Sequence, residues 1–346
     1  MISSYCTAVG FTCKDGTILY GRTLEYESPL YSQILFLPRN HPFQGTAFHQ
    51  KGKSWISKYA LLGFNQNAMP HYRDWIVDGM NEQGLVVSAL YLSHYTEYQP
   101  YNPSLHDQTI GCWELVTLLL SQCSSLEDVR QEIYTICVAD QPLLFDTSLS
   151  IIQPTFHYMV MDRSGKALVI EYTHSKLHIY NNPFLVLTNA PPFPQQVRLW
   201  EQFQKTHSIS AVDLPFGKDG IWSTGSGMIG LPGDFTSTSR FQRIIELKHW
   251  MRPARDEKEG IKSMFHLLES VDIAKGWIRT KGDLSGKLDS YTQWTVVYDI
   301  HRLRLYFRTY DGMEISEIIM KPEHTKKFVW NLSSSLHIHV LQTPST

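Results

Sequence analysis

Near its start the chain reads Cys6-Thr7-Ala8-Val9-Gly10-Phe11-Thr12-Cys13, then Lys14-Asp15-Gly16, then Thr17-Ile18-Leu19-Tyr20-Gly21-Arg22-Thr23-Leu24. Both outer runs are rich in small, β-branched and aromatic residues, which pack well in strands. The short segment between them ends in glycine, which takes the positive φ angles of tight turns at little steric cost. The sequence therefore predicts a β-hairpin with Cys6 at the start of its first strand and Arg22 near the end of its second.

Outside this hairpin, the sequence predicts strands towards both ends and helices in the middle. Further strands are predicted in three regions, 59–92, 156–190 and 291–319. Helices are predicted over 110–120, over 124–133 behind a capping-box spacing, after Pro194, and twice within 240–270. The run from Asp78 to Leu85 is predicted to be a turn between two strands. This order favours a layered α+β fold over a series of βαβ units.

The composition is that of a globular protein and excludes several classes of function. The chain has 346 residues, 42% of them hydrophobic and 18% charged, which suffices for a large core and excludes wholesale disorder. Its formal net charge is −2 and no basic stripe runs along it, so no nucleic-acid partner is expected. No apolar run approaches the ~18 residues that a membrane-spanning helix needs, so no membrane span is expected.

The N-terminus and the cysteines bear on the cellular compartment. The first residues, Met1-Ile2-Ser3-Ser4-Tyr5, have neither the basic nor the apolar region of a secretory signal. As written, the chain is expected in the cytoplasm; a longer precursor with a different start would place it in the periplasm or outside the cell. The 5 cysteines are too few, and odd in number, for a disulfide scaffold.

Two patterns that point to a cofactor or a metal lack the context that such sites need. Gly225-Ser226-Gly227-Met228-Ile229-Gly230 matches the dinucleotide-binding fingerprint, but Leu231-Pro232-Gly233 follows and blocks the helix that this fingerprint requires. His337-Ile338-His339 would place two imidazoles on one face of a strand, with no cysteine or carboxylate near them in sequence. We therefore expect neither a cofactor nor a metal ion.

Cys6 has two interpretations. A free cysteine at the head of a strand is most often a small core residue. Alternatively, residues 1–5 are removed, the Cys6 thiol is a nucleophile, and its own freed α-amino group is the base. An α-amino group with a pKa of about 7.7–8.0 is partly unprotonated at neutral pH, and a nearby cation such as Arg22 would favour the thiolate. Position alone leaves both interpretations open.

Five sequence blocks, in order and in register, resemble the choloylglycine hydrolase and penicillin V acylase family of N-terminal nucleophile (Ntn) amidases. The resemblance runs from about Cys6 to Ile319. The blocks are Cys6-Thr7 with Gly21-Arg22-Thr23-Leu24-Glu25-Tyr26; Asp78-Gly79-Met80-Asn81-Glu82-Gln83-Gly84-Leu85; Leu187-Thr188-Asn189-Ala190-Pro191; Gly230-Leu231-Pro232-Gly233-Asp234-Phe235 running into Ser239-Arg240-Phe241; and Tyr291-Thr292-Gln293-Trp294 with Tyr306-Phe307-Arg308-Thr309-Tyr310.

The resemblance implies a fold and a maturation step. The family fold is an αββα sandwich, two stacked antiparallel sheets between helical layers, which agrees with the α+β order of the predicted elements. Residues 1–5 would be a propeptide removed on maturation, and 6–346 would be a single Ntn-hydrolase catalytic domain. The resemblance also implies a homo-oligomer, a tetramer or a dimer.

The resemblance also implies roles for five side chains. Cys6 matches the nucleophile, and Arg22 matches the arginine that lies beside the thiol and favours the thiolate. Glu25 falls where many members have aspartate, which hydrogen-bonds the freed α-amino group; the extra methylene shifts that carboxylate. Asn189 matches the asparagine of the oxyanion hole, whose amide N–H meets the developing negative charge. Arg240 matches a second arginine of the active site.

Tyr91 is the main departure from the family pattern. The bile-salt hydrolase subgroup has asparagine there, and the family uses the backbone N–H of this position as the second oxyanion donor, which tyrosine also supplies. The run Ala89-Leu90-Tyr91-Leu92 is more like the Gram-negative branch, and Tyr26 replaces a frequent tryptophan. Both changes predict altered specificity with the chemistry kept. Four aromatic residues are candidates for lining an apolar pocket, namely Phe11, Tyr26, Tyr91 and Tyr95.

The predicted function is an N-terminal cysteine amidohydrolase that cleaves a non-peptide C–N amide bond through an acyl-thioester on Cys6. Its small-molecule substrate would be an acyl amide of the bile-salt conjugate, penicillin V or N-acyl homoserine lactone type, with some preference for long acyl chains. One alternative is a lipid amidase of the acid-ceramidase type. The other is a non-catalytic binding protein on the same fold, with Cys6 blocked by residues 1–5.

Overall fold

Two antiparallel sheets lie face to face at the centre of the molecule, and helices cover both outer faces. The computed structural model describes residues 5–48, 50–67, 74–141, 154–213, 215–216, 221–222, 224–279 and 289–332. This arrangement confirms the α+β fold and the αββα sandwich implied by the family resemblance.

The described residues form the following elements, numbered in chain order. The helices are α1 (Leu115–Gln122), α2 (Leu126–Glu132), α3 (Phe193–Thr206), α4 (Ser237–Trp250) and α5 (Glu257–Glu269). The strands are β1 (Tyr5–Thr12), β2 (Ile18–Tyr26), β3 (Gln33–Leu37), β4 (Pro42–Ala47), β5 (Gln50–Ile56), β6 (Leu61–Asn65), β7 (Ile76–Asn81), β8 (Val86–Tyr91), β9 (Thr109–Ile110), β10 (Cys137–Val138), β11 (Phe156–Met161), β12 (Ala167–Thr173), β13 (Lys176–Asn181), β14 (Val186–Leu187), β15 (Pro215–Phe216), β16 (Ile221–Trp222), β17 (Ile278–Arg279), β18 (Asp289–Asp299), β19 (Arg304–Thr309), β20 (Ser316–Ile319) and β21 (Phe328–Asn331).

The strands combine into two main sheets. Sheet 1 has the order β14-β1-β2-β18-β19-β20, with β17 paired to β18. Sheet 2 has the order β13-β12-β11-β8-β7-β6-β3-β21. Helices α4 and α5 pack on β1, β2 and β18 of sheet 1, and α1 packs on β7 and β8 of sheet 2. One hydrophobic core fills the space between the sheets and beneath α4 and α5, and a second lies between sheet 2 and α1.

The β1–β2 hairpin fixes which side chains face the inter-sheet core. Cys6 pairs with Leu24, and Ala8 pairs with Arg22. Because side chains alternate along a strand, these four share the face of sheet 1 that meets sheet 2. Thr7 points the other way and accepts a hydrogen bond from helix α4. The hairpin therefore brings Arg22 beside Cys6, on the same buried face.

Gly21 allows helix α5 to approach β2 closely. A Cβ atom at this position would lie 2.8 Å from Met264 Cγ and 2.9 Å from Leu268 Cδ1. A larger residue would push α5 away from sheet 1, so the glycine next to Arg22 is required by helix packing.

Most of the predicted elements are present, with three corrections. The predicted turn at 78–85 is wrong in its first half, because β7 continues through Asn81 and the chain turns only between Asn81 and Leu85. The Asn81 side chain stabilises this turn by accepting from the N–H groups of Gln83 and Leu85. The helix expected from residue 110 begins at Leu115, after a short β9 and a 3-10 turn. Arg22 lies at the centre of β2, which extends further than predicted.

The helix after Ser124 is confirmed, since the Ser125 hydroxyl accepts from Asp128 N as an N-cap. Strands β3, β4, β5 and β21 were not predicted. The pattern His337-Ile338-His339 lies outside the described residues. Within the described ranges, no helix is both long enough and apolar enough to cross a membrane.

Candidate active site

Cys6 is held by a different partner at each of three atoms. It lies at the start of β1 with 1% of its surface exposed. Its peptide nitrogen donates to Asn189 Oδ1 at 2.7 Å, its Sγ accepts from Arg22 Nη2 at 3.3 Å, and its carbonyl oxygen accepts from Arg240 Nη1 at 2.5 Å. Three of the residues predicted to act with Cys6 thus contact it directly.

Arg22 is a buried cation between the thiol and a carboxylate. Its Nη1 lies 3.2 Å from Asp78 Oδ2, and its guanidinium stacks over the Trp294 ring at 5.3 Å from the ring centre. Burial alone would lower the pKa of Arg22, but the charges of Cys6 and Asp78 raise it above the usual value. Arg22 therefore stays charged beside the sulfur, where it favours the thiolate.

Asp78 is a site residue that sequence reasoning missed. It is fully buried and accepts from Tyr298 OH at 2.6 Å, from Ser88 Oγ, and from Arg22. The carboxylate charge balances that of Arg22, and the bond between them fixes the direction of the guanidinium. Asp78 was assigned to a turn because of the glycine and asparagine that follow it. A single carboxylate directly after the apolar run Trp75-Ile76-Val77 was the available signal.

Asn189 joins Cys6 to two other predicted residues. Its Oδ1 accepts from Cys6 N and from Arg240 Nη2 at 2.7 Å each, while its Nδ2 donates to Tyr91 O at 3.0 Å. Two donors on one side and an acceptor on the other fix the orientation of the amide. The Asn189 backbone is also held, because its N–H donates to Ser237 Oγ at 2.8 Å. One hydrogen of Nδ2 is not used by the bond to Tyr91.

Arg240 reaches Cys6 from helix α4. Besides Cys6 O and Asn189, it donates to Thr7 Oγ1 at 2.7 Å and to Phe235 O at 3.0 Å. It is 1% exposed, and burial lowers its pKa from the ordinary value, while the neighbouring Glu25 charge opposes that shift. Arg240 therefore holds the backbone around Cys6 and also binds Asn189, which accepts from the Cys6 nitrogen.

Glu25 is buried near Arg240, and its hydrogen-bond partner is Thr292, whose Oγ1 donates to Glu25 Oε1 at 2.7 Å. Burial raises the pKa of Glu25 to about 7, against the lowering effect of Arg240. The peptide nitrogen of Cys6 has a single hydrogen, and Asn189 accepts it. A freed amine at the same place would have further hydrogens, which a neighbouring carboxylate could accept. The role of Glu25 in binding that amine stays a prediction.

An aromatic group lies beside the nucleophile. The Tyr91 ring lies 6.0 Å from that of Tyr26 and 4.8 Å from that of Phe156. With Cys6 they line a small closed cavity of about 10 Å³. Phe11 and Tyr95 are not among its lining residues, so the four candidate aromatics are not brought together at this cavity. Phe11 is on the opposite face of β1 from Cys6, and Tyr95 is 41% exposed in the chain after β8.

A larger cavity of about 650 Å³ lies near the α4 and α5 ends, and Cys6 is not among its lining residues. Phe235 and Trp277, whose rings stack, form part of its wall. Thr292 also lines this larger cavity, and its hydroxyl donates to Glu25, so Thr292 connects the cavity wall to Glu25.

The glycine-rich pattern at 225–230 does not have the helix that a dinucleotide site needs. Ser226–Met228 forms a 3-10 turn of three residues, with no α-helix directly after it. Within the part of the chain that the structure describes, no three His, Cys, Asp or Glu side chains are grouped closely enough to hold a metal ion.

Comparison with known proteins agrees with this geometry. Residues 6–334 match the family model of linear amide C–N hydrolases, choloylglycine hydrolase family. The chain is 31% identical to a bile salt hydrolase/transferase of Clostridium perfringens, over 92% of this chain and 93% of the relative. It is 30% identical to a bile salt hydrolase/transferase of Lactiplantibacillus plantarum, with the same coverage, 92% and 93%.

Solved structures show the same fold. A mutant of conjugated bile acid hydrolase from Clostridium perfringens matches with a TM-score of 0.83 and 28% identity, over 97% of this chain and 100% of that one. Penicillin V acylase from Agrobacterium tumefaciens matches with a TM-score of 0.74 and 20% identity, over 96% and 94% of the two chains. The second likeness shows the fold alone, and the predicted closeness to the Gram-negative branch stays a prediction.

The fold is the αββα sandwich of the Ntn-hydrolases. The chain belongs to the choloylglycine hydrolase family and is a hydrolase of linear amide C–N bonds.

Proposed function

We propose that this chain is an N-terminal cysteine amidohydrolase, activated by removal of residues 1–5, that cleaves an acyl amide through an acyl-thioester on Cys6. The observation that carries the proposal is the threefold hold on Cys6, with Asn189 at its nitrogen, Arg22 at its sulfur and Arg240 at its carbonyl oxygen. Any buried peptide N–H needs an acceptor, but a structural cysteine has no need of a buried cation at its sulfur.

The first step is self-processing. After methionine removal, the Cys6 sulfur gives up its proton and attacks the carbonyl carbon of Tyr5. The C–N bond between Tyr5 and Cys6 breaks, the nitrogen takes a proton, and a thioester joins Tyr5 to Sγ. Water then hydrolyses this thioester, which releases the propeptide with a carboxylate on Tyr5. Cys6 is left with a free thiol and a free amine. Arg22 supports the thiolate, and Asn189 holds the nitrogen that becomes the amine.

The second step uses the same atoms on the substrate. The freed amine takes the thiol proton, and the thiolate attacks the substrate carbonyl carbon. The oxyanion accepts from the second Nδ2 hydrogen of Asn189 and from the Tyr91 N–H. These two donors are adjacent, because Asn189 Nδ2 already contacts Tyr91 O. The C–N bond breaks, the leaving amine takes the proton, and water hydrolyses the acyl-thioester on Cys6. Glu25 binds the Cys6 ammonium in this proposal.

The aromatic side chains beside Cys6 favour a substrate whose acyl part is apolar, because they would contact that part of the molecule. Tyr91 fills the space next to the sulfur, which favours a slender acyl chain over a rigid ring system. The relatives are named bile salt hydrolases, which supports conjugated bile salts instead. Both classes, with penicillin V and N-acyl homoserine lactones, are amides with an apolar acyl part.

A substrate panel with matched variants tests the proposal. Purified wild type, Cys6→Ser and Cys6→Ala would be incubated with each class of amide, and acyl-enzyme would be sought by mass at Cys6. We expect hydrolysis and a transient acyl adduct in wild type, a much poorer Cys6→Ser enzyme, and no activity in Cys6→Ala. Hydrolysis by Cys6→Ala would overturn the proposal. So would a processed wild type that binds an acyl amide and never cleaves one.

A further inference from the structure

A buried histidine and glutamate lie on sheet 2, outside the six predicted site residues. His157 on β11 and Glu171 on β12 are both 0% exposed. Nδ1 of His157 lies 2.9 Å from Glu171 Oε1, and its Nε2 lies 2.9 Å from the carbonyl oxygen of Thr188. Neither side chain lines the cavity beside Cys6, so neither is placed to touch substrate.

The partners of this pair constrain its protons. The Thr188 carbonyl only accepts, so Nε2 of His157 carries a hydrogen and donates it. The contact between Nδ1 and Oε1 needs one more proton shared by the two groups. The pair as a whole is therefore neutral, whichever atom holds that proton. Removing the charge of either partner alone leaves the other unmatched in a buried setting.

The histidine–glutamate pair hydrogen-bonds both ends of the loop that carries Asn189. His157 holds Thr188, the residue directly before Asn189. Glu171 Oε1 also accepts from the N–H of Phe193, the first residue of α3, at 2.8 Å. Residues 189–192 lie between the two anchors. The anchoring atoms belong to neighbouring strands of sheet 2, whereas Cys6 belongs to sheet 1.

Other contacts make the same loop rigid. The Thr188 hydroxyl contacts Gln196 Oε1 at 2.9 Å and Ser237 Oγ at 2.9 Å. Gln196, which is 0% exposed, also donates to the carbonyl oxygens of Asn189 and Pro191. Asn189 therefore reaches Cys6 from a backbone fixed on several sides, and the histidine–glutamate pair ties that backbone to sheet 2, beside the bond of the Asn189 side chain to Tyr91 O.

We propose that His157 and Glu171 are positioning residues that set the place of Asn189 against Cys6 and so control acylation without taking part in substrate binding. The inference rests on the proposed function, because it assigns a role to the same nucleophile and oxyanion donor. Misplacing a reacting group by an ångström costs about 100-fold in rate even when the change is remote. The effect should fall on kcat and on the rate of propeptide removal, and KM should stay nearly constant.

The chemistry of Glu171 makes Glu171→Gln a sharp test. The wild-type Oε1 accepts both from Phe193 N and from the shared proton at His157 Nδ1. An amide placed there offers either an oxygen, which leaves the histidine charge unmatched, or an NH2 group, which cannot accept from Phe193. Glutamine thus loses one of the two anchors. His157→Gln leaves the buried Glu171 without its histidine partner, but it keeps a donor for the Thr188 carbonyl and leaves Glu171 to accept from Phe193 N, so both anchors remain and it should be the milder variant.

The experiment measures kcat, KM and the rate of loss of residues 1–5 in wild type, Glu171→Gln, His157→Gln and Glu114→Gln. Glu114 is a matched control, since it is also a 0% exposed carboxylate, lies directly before α1, and is hydrogen-bonded to Thr46, Gly111 and Trp113, none of which contacts Cys6 or Asn189. Wild type and Cys6→Ala report on the proposed function independently: if wild type neither processes nor hydrolyses, that proposal fails, whatever the variants do.

We expect kcat and the processing rate to fall about 100-fold in Glu171→Gln and about 10-fold in His157→Gln, with KM within about twofold of wild type. Glu114→Gln should lower Tm and leave kcat unchanged. Wild-type kcat in both pair variants would overturn the inference, as would a rise in KM equal to the fall in kcat. Should both variants fail to fold, Glu171→Asp keeps the carboxylate and draws it back by one methylene from Phe193 N and His157 Nδ1; a wild-type kcat in folded Glu171→Asp would equally overturn the inference.

Discussion

Arg22 donates from Nη2 to the sulfur of Cys6 at 3.3 Å, from the adjacent strand of the hairpin. The two side chains share the buried face of sheet 1 because the residue opposite Cys6 is Leu24 and the next position on that face is Arg22. Asp78, from sheet 2, holds the other arm of the guanidinium. The cation that favours the thiolate is thus supplied by one sheet and oriented by the other.

Replacing Arg22 should reduce the reactivity of the Cys6 thiol. In Arg22→Gln we expect alkylation of Cys6 in processed protein to slow about tenfold or more at neutral pH, because a charge pair at this separation is worth about 1 kcal/mol in bulk water and more in a protein. Alkylation rates would be read from the Cys6 peptide by mass spectrometry. Arg22→Lys, which keeps the charge, is the control and should lose less. Equal rates in wild type and Arg22→Gln would contradict the role of the cation.

Asn189→Ala should lower kcat by roughly 100- to 1,000-fold, the usual effect of losing one oxyanion donor. The variant also removes the acceptor of Cys6 N, so propeptide removal should slow as well. Asn182→Ala is a control in the same segment. Asn182 is 2% exposed, and its Nδ2 donates to Val186 O at a distance of 3.0 Å, not to Cys6. Steady-state kinetics would check both. A near-normal kcat in Asn189→Ala, or an equal loss in Asn182→Ala, would count against the assignment.

Tyr91 should control the acyl preference. Tyr91→Asn removes a ring that packs against Tyr26 and Phe156 and so widens the cavity of about 10 Å³ beside Cys6. We expect the ratio of kcat/KM for a bulky ring acyl group to that for a linear chain to rise, and the protein to lose about 3 kcal/mol of stability from the truncated buried ring. Tyr91→Phe keeps the ring and should keep the preference. An unchanged ratio in Tyr91→Asn would show that the pocket lies elsewhere.

Glu25 should make the unprocessed protein less stable as pH rises. Burial raises its pKa from an ordinary 4.5 to about 7, so the folded state binds more protons than the unfolded state between these values. The free energy of unfolding should therefore fall as pH rises through this window, by on the order of 3 kcal/mol for this group. Denaturant unfolding of Cys6→Ala, which retains the propeptide, gives the reference curve.

The matched variant is Cys6→Ala with Glu25→Gln, which should lose this part of the pH dependence. Glu114 has a pKa raised to about 7 by burial as well, so some slope should remain in both proteins. Identical slopes with and without Glu25 would show that this carboxyl does not titrate in the folded state as described.

Sequence reasoning found the local elements and, through the family resemblance, three residues that contact Cys6, but it missed the residues that support them. The hairpin is evident from its β-favouring runs and from Gly16, whose φ of 87° is a conformation that glycine takes readily. The N-cap at Ser125 is equally local. These signals depend on neighbours in the chain, so they can be seen without the tertiary structure.

The supporting residues are different, because their role depends on which sheet faces which. Asp78 meets Arg22 only when sheet 2 packs on sheet 1, and His157 meets Thr188 only when β11 lies beside the β14–α3 loop. Within apolar strand runs, these polar residues have no local pattern that indicates a partner. Of the predicted aromatic residues, Tyr26 and Tyr91 line the cavity beside Cys6 and Phe11 does not. Phe11 and Cys6 are both on β1, but side chains alternate along a strand, so the two lie on opposite faces.

The most direct test of the central claim is the intact mass of the purified, untagged protein, beside that of Cys6→Ala. The account predicts that wild type loses residues 1–5 and begins at Cys6 with a free amine, while Cys6→Ala retains every residue from 2 to 5. A wild-type mass that retains residues 2–5, in protein that nonetheless hydrolyses an acyl amide, would contradict it, because the base in the proposed mechanism would still be a peptide nitrogen.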